Sequence, residues 1–147
     1  MPPHNGHLFV CDVAQKYVDE LTVLVCSYDA EPIDGHLRAA WMRDCLDPLK
    51  CRIVHMHRDI PQEPNDHPDF WEIWKNTIVE LHPEPLDFVF GSETYIQKLA
   101  EVLTAKPFFV DVDRQVVPIS GTSIRDNPDE NWNYIPPSVQ SYWRRRV

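Results

Sequence analysis

The chain has 147 residues, 43% of them hydrophobic and five of them tryptophan, which suits one packed domain spanning residues 1–147. Fourteen Lys and Arg against 23 Asp and Glu leave a net charge of −9, which excludes a basic nucleic-acid surface. No stretch approaches the roughly 18 apolar residues of a membrane span, so no membrane role is expected.

From Gly6 to Val18, Phe9, Val10, Val13, Ala14 and Tyr17 recur at i, i+1, i+4, i+5 and i+8, which predicts a helix with one buried stripe. Leu21–Cys26 is a near-continuous apolar run of the kind found in strands covered on both faces. Ser27–Gly35 reads as a loop. His36–Leu46 reads as a helix burying Leu37, Ala40, Trp41 and Cys45. Cys51–Met56 is the next strand, and the prolines at 61, 64 and 68 then impose an irregular segment. Asp69-Phe70-Trp71-Glu72 has capping-box spacing, and Phe70, Ile73, Trp74, Thr77, Ile78 and Leu81 mark one face of the helix it opens.

Leu86–Phe90 predicts a short strand ended by Gly91-Ser92-Glu93, followed by a helix on Tyr95, Ile96, Leu99, Ala100 and Leu103. Lys106–Val112 is the last clear strand, and Pro128 stops the helix that follows Ser120. Pro137 opens a terminal helix ending in Arg144-Arg145-Arg146, a solvated end favoured by the helix dipole. Strands alternating with helices at this spacing predict an α/β fold with a doubly wound, mainly parallel sheet. In such sheets ligands bind beyond the carboxyl ends of the strands.

Cys11, Cys26, Cys45 and Cys51 form no C-x-x-C pair and are expected to be reduced core thiols. Met1 is followed at once by Pro2, Pro3 and His4, which is no secretory leader, so a cytoplasmic protein is expected. His55 and His57 alternate on a strand, and His67 and His82 flank a helix. No Cys or carboxylate completes a recognisable spacing with them, so no protein-ligated metal is expected. No Ser/His/Asp or Cys/His nucleophile set stands out.

Two segments at opposite ends concentrate groups that grip phosphate. His4-Asn5-Gly6-His7 opens the first helix, with its histidines at i,i+3 on one face. Ile119-Ser120-Gly121-Thr122-Ser123-Ile124-Arg125 opens another, with hydroxyls at Ser120 and Thr122 and a fixed cation at Arg125. Helix N-termini offer unpaired N–H groups and partial positive charge, so they suit anions. Taken singly, the first segment could be capping histidines and the second an ordinary N-cap worth about 1 kcal/mol.

Together they resemble the H-x-G-H and I-S-x-T-x-I-R signatures of the nucleotidyltransferase superfamily. Leu86–Glu93, Val110–Arg114, Trp132–Pro137 and the Trp71-x-x-Trp74 pair are further similar to the adenylyltransferase domain of NadR-type proteins. The resemblance covers nearly the whole chain. It implies a Rossmann-like fold and synthesis of NAD from ATP and nicotinamide mononucleotide (NMN), with pyrophosphate released and magnesium brought by ATP. It also implies a first strand and a Gly-x-Phe ahead of Met1, and a P-loop kinase half for which no G-x-x-x-x-G-K-[ST] is present. This chain then corresponds to the adenylyltransferase half with its first strand missing. The sheet seam left open calls for an altered strand order, a homo-oligomer or another covering partner.

By motif match, His4, His7 and Arg125 are the catalytic candidates. ATP phosphates would be held by His4, His7, Ser120, Thr122 and Arg125, with Ser92 and Glu93 near the nucleotide and Asp111 and Arg114 at its adenine end. Trp71 and Trp74 are the NMN-binding candidates: Trp71 lies off the apolar stripe of its helix and could stack on the cationic nicotinamide ring, or pack under its own loop, whereas Trp74 lies on the stripe and reads also as core. Two other functions share these motifs: nucleotidyl transfer to a different phosphorylated acceptor, and a non-catalytic nucleotide-binding module. A substrate panel separates the first, and calorimetry showing binding without turnover would support the second.

Overall fold

In the computed structural model, which describes residues 2–144, helices alternate with parallel strands. In chain order these are α1 (Asn5–Tyr17), β1 (Leu21–Ser27), α2 (Gly35–Cys45), β2 (Cys51–His57), α3 (Phe70–Leu81) and β3 (Phe88–Gly91). Then come α4 (Ile96–Val102), β4 (Lys106–Phe109), α5 (Gly121–Asp126) and α6 (Pro137–Arg144). The expected α/β class with parallel strands is what the chain forms. Arg145 and Arg146 of the terminal basic run lie outside the described residues.

β1 pairs with β2 from Leu21↔Cys51 to Ser27↔His57, and β3 pairs with β4 from Phe88↔Lys106 to Gly91↔Phe109. These are two separate two-stranded sheets; among the described residues no hydrogen-bonded ladder joins them. The Val110 N–H still donates to the Gly91 carbonyl, continuing the ladder by one bond; β4 is shorter than its apolar run because Asp111 then enters the left-handed region at φ 49°.

The helix faces differ in detail from the simple periodic reading. In α1 the buried positions are Ala14 and Cys11, the latter packed with Val25, Ala39 and Met42, whereas Tyr17 is 65% exposed and rests on Phe108 at 4.8 Å. In α2, Ala40 is exposed while Arg38, Ala39, Trp41 and Met42 are buried. That helix serves two clusters on adjacent faces. Ala39 and Met42 face α1 and β1, and Trp41 joins Ile119, Ile124, Ile135 and Val139. The second cluster binds the segment carrying Ser120–Arg125 to the body of the domain, and the Trp41 ring meets Tyr142 edge-on at 5.1 Å.

The expected capping box on α3 does not form. Asp69 has φ −98° and ψ 22°, too near helical for its carboxylate to fold back, and it makes no side-chain cap. The Asp69 N–H donates instead to His67 Nδ1 at 2.9 Å, and the first turn closes through the Asp69 carbonyl to the Ile73 N–H.

In a parallel α/β arrangement every strand ends on the same edge, and the next helix begins there. α1 leads into β1 and α2, α3, α4 and α5 each follow a strand, so their N-termini lie toward the strand ends of each parallel pair, at Ser27 and His57 in one and at Gly91 and Phe109 in the other.

Candidate active site

α1 starts with an unusual cap. The Gly6 N–H donates to His4 Nδ1 at 3.1 Å, and the His4 N–H donates to His7 Nδ1 at 3.2 Å. The two rings stack at 3.8 Å with 21° between their planes. An Nδ1 that accepts an N–H carries no proton, so each neutral ring holds its hydrogen on Nε2. The cap therefore fixes both tautomers and leaves two Nε2–H donors for a ligand. Glycine at position 6 permits this: a Cβ there would lie 2.8 Å from His4 Cε1.

His4 is 3% exposed, and burial followed by the Arg114 charge brings its pKa from 6.5 down to about 4. The outer side of His7 is open to solvent, yet its pKa is lowered too. The protein crowded round the ring has the largest effect, and positive charge at His4, Arg114 and Arg38 adds to it. The site thus presents uncharged imidazole donors at neutral pH with guanidinium charge close behind them.

The unfolded chain takes up a proton at His4 that the folded chain refuses. Stability from neutral His4 is then complete above pH 6.5 and is lost as pH falls toward 4. We expect the melting temperature to drop across that window, by more in wild type than in His4→Asn, which keeps a capping acceptor without a titrating ring. Equal pH profiles from circular dichroism melts of the two proteins would refute this.

The second signature sits against the first. A Cβ on Gly6 would lie 3.4 Å from Ile119 Cγ2, and Ile119 directly precedes the Ser120 cap of α5. Ser120 Oγ accepts the Ser123 N–H at 3.1 Å, and Arg125 Nη2 donates to Thr122 Oγ1 at 3.2 Å. Thr122 and Arg125 are exposed. Asn5 adds a tie from α1 to the carbonyl of Asn133 at 3.2 Å.

The remaining candidates form the frame around this pair. Arg114, at φ 52°, donates to the Ile119 carbonyl at 2.8 Å and pairs with Glu93 at 2.5 Å, linking the end of β3 to the approach to α5. Ser92 donates to the Val110 carbonyl at 2.6 Å. Asp111 accepts the N–H groups of Gln115, Val116 and Val117 at 2.8, 3.0 and 2.9 Å, which hold its carboxyl below the ordinary range. Trp74 Nε1–H donates to the Pro61 carbonyl at 2.8 Å, so this half-buried ring secures the proline-rich loop. Trp71 is also half-buried, with its ring edge-on to buried Phe70 at 4.9 Å.

Two groupings escaped the sequence reading. Buried Arg38 donates to the Cys26 carbonyl at 2.7 Å and pairs with Glu31 at 2.5 Å. Ser27, His57 and Asp29 meet as a Ser/His/Asp set, with Ser27 Oγ 2.8 Å from His57 Nδ1 and His57 Nε2 2.7 Å from Asp29 Oδ1. Only the register, which sets Ser27 opposite His57, reveals it. It is not a nucleophile site: Ser27 is 3% exposed and sealed beneath Gly35, where a Cβ would lie 2.2 Å from its Oγ. Among the described residues no group of three or more His, Cys, Asp or Glu side chains is arranged to hold a metal ion, and no helix is long and apolar enough to cross a membrane.

Two curated proteins are similar to nearly the whole chain. It is 28% identical to the trifunctional NAD biosynthesis/regulator protein NadR of Salmonella typhimurium, over 99% of this chain and 39% of that protein. With the protein of the same name from Escherichia coli the identity is 27%, over 99% of this chain and 39% of the relative. The chain thus spans well under half the length of these relatives. Residues 2–127, holding both histidines and the whole Ser120–Arg125 segment, match the cytidylyltransferase-like family, and to that family this chain belongs.

Proposed function

We propose that this domain is an adenylyltransferase that joins ATP to NMN, giving NAD and pyrophosphate. The observation that carries the reading is the meeting of the His4/His7 cap with the Ser120–Arg125 segment, backed by Arg114. Two neutral Nε2–H donors and two guanidinium groups beside one edge of the sheet suit a polyphosphate, despite the net charge of −9. The similarity to proteins named for NAD biosynthesis supports NMN as the acceptor.

Transfer of an adenylyl group needs no covalent enzyme intermediate. The NMN phosphate attacks the α-phosphorus of ATP in line, the bond to the β-phosphate oxygen breaks, and pyrophosphate leaves. Charge grows on the α-phosphate oxygens and the leaving group, so positioned donors supply most of the catalysis. His7 and His4 would donate to the phosphates there, and Ser120, Thr122 and Arg125 would hold the departing pyrophosphate. Donors of this kind suit phosphate oxygens rather than a metal, so magnesium would arrive on ATP, neutralising phosphate charge and held by phosphate and water.

The test is a panel of phosphorylated acceptors with ATP and magnesium, with products read by mass spectrometry. NAD and pyrophosphate from NMN are expected. Turnover of another acceptor alone, or ATP binding without turnover, would overturn the reading.

The tryptophans divide the acceptor from the scaffold. Trp71→Ala is expected to raise KM for NMN well above any change for ATP, through lost stacking worth about 1 kcal/mol or more. Trp74→Ala is expected to destabilise the fold by about 3 kcal/mol, the low end for a tryptophan, because its ring is half-buried and loses one hydrogen bond. Equal KM effects of Trp71→Ala on both substrates would count against stacking.

A further inference from the structure

Beside the Ser27 cluster lies a cavity of about 450 Å³, lined in part by Tyr28, Ile33, Gly35, His36 and His57. The loops that follow β1 and β2 are tied together here. Ser27 Oγ lies 2.7 Å from His55 Nε2 and 2.8 Å from His57 Nδ1. His57 Nε2 lies 2.7 Å from Asp29 Oδ1, and the Asp29 N–H donates to Asp59 Oδ1 at 2.8 Å. We propose that His55–Ser27–His57–Asp29 is a proton-sensitive latch, in which a proton taken up at His57 reverses the hydrogen-bond chain and tightens the junction of the two loops.

The reversal follows from counting protons. A serine hydroxyl has one proton to give, so it can donate to only one of two flanking imidazoles. With His57 neutral, its single N–H on Nε2 serves Asp29, and its bare Nδ1 accepts the Ser27 hydroxyl proton. Ser27 Oγ must then accept from His55 Nε2–H. A proton added at His57 occupies Nδ1, which now donates to Ser27 Oγ. The hydroxyl turns and donates to His55 Nε2, whose own proton is released to solvent while solvent protonates Nδ1. His55 changes tautomer without becoming charged, and three hydrogen bonds remain. The bond to Asp29 becomes an ion pair, roughly twice as strong as a neutral one.

The neighbours place the charge on His57 rather than His55. Asp29 and Asp59, from the loops after β1 and β2, stand on the His57 side. Burial first, then His36, His57 and Arg38, lowers the pKa of His55 and so disfavours charge there, with Asp34 the opposing influence. Glu31, also in the loop after β1, is paired with Arg38. Gly35, at the start of α2, closes the cluster from above: a Cβ there would lie 2.3 Å from His55 Nε2. Net proton uptake is therefore at exposed His57; half-buried His55 trades its ring protons with solvent without net uptake, and Ser27 stays sealed.

The test is nitrogen-15 NMR of the imidazole rings of the full chain in a pH series with no ligand added, the state of each ring being read from its own two nitrogens. As His57 takes up its proton, His55 should pass from Nε2–H to Nδ1–H, and backbone amides of residues 28–34 should gain protection, read as exchange relative to the intrinsic rate at each pH. Ser27→Ala should abolish the His55 tautomer change while His57 still titrates, and His57→Asn should leave His55 in one tautomer throughout. A His55 that keeps its tautomer in wild type, or still switches in Ser27→Ala, overturns the proposal. Should Ser27→Ala fail to fold, wild type and His57→Asn still decide it.

Discussion

His7→Ala is expected to lower turnover by roughly 100- to 1,000-fold, the usual cost of removing one preorganised donor to a charged transition state. The same change should cost the fold only about 1 kcal/mol, because His7 loses a capping bond to the His4 N–H and one stacked face but lies at the open rim of the site. His7→Asn separates the two roles. Its carboxamide oxygen can still accept the His4 N–H, so stability should return, while no donor stands where Nε2–H did, so turnover should not. Initial rates with ATP and NMN, beside melting curves for all three proteins, check this. Near-normal turnover in His7→Asn, or normal specific activity in the folded fraction of His7→Ala, would make the residue a cap and nothing more.

The parts of the site legible in the sequence are those whose chemistry is local. His4, Gly6 and His7 span one turn, and Ser120, Thr122 and Arg125 fall within about one and a half turns; a helix start fixes such groups whatever surrounds it. What brings the two turns together is the packing of Ile119 on Gly6, a contact no periodicity discloses. The Ser27–His57 junction was hidden for a similar reason, since it depends on strand register between residues thirty apart in the chain. Periodicity also failed where a helix serves two cores: α2 buries Ala39 and Met42 on one side and Trp41 on another, so no single stripe describes it. Asp69 shows the limit of spacing alone, because a capping box needs an extended cap residue and its backbone is not extended.

A parallel strand inserted between β1 and β3 is expected to raise both stability and turnover. Among the described residues neither of those strands has a second partner, and yet α1 packs on both. β1 and β3 are therefore halves of one layer under a common helix, each with an edge of unsatisfied N–H and C=O groups. At the open side, Tyr17, Phe88, Phe90 and Phe108 form a chain of rings with centroids 4.8 to 6.3 Å apart, and Tyr17 and Phe88 remain 65% and 38% exposed. A strand placed there would satisfy both edges and cover apolar surface. If it ran parallel and led into His4, it would also complete a right-handed crossover through α1 to β1 and brace the histidine cap. Extending the chain ahead of Pro2 by an apolar strand ending in Gly-x-Phe tests this. The extended protein should melt higher, remain monodisperse and turn over faster than residues 1–147 alone. Equal melting temperature and equal turnover in the two forms, with the short form monomeric by light scattering, would show that α1 alone is enough to close the layer.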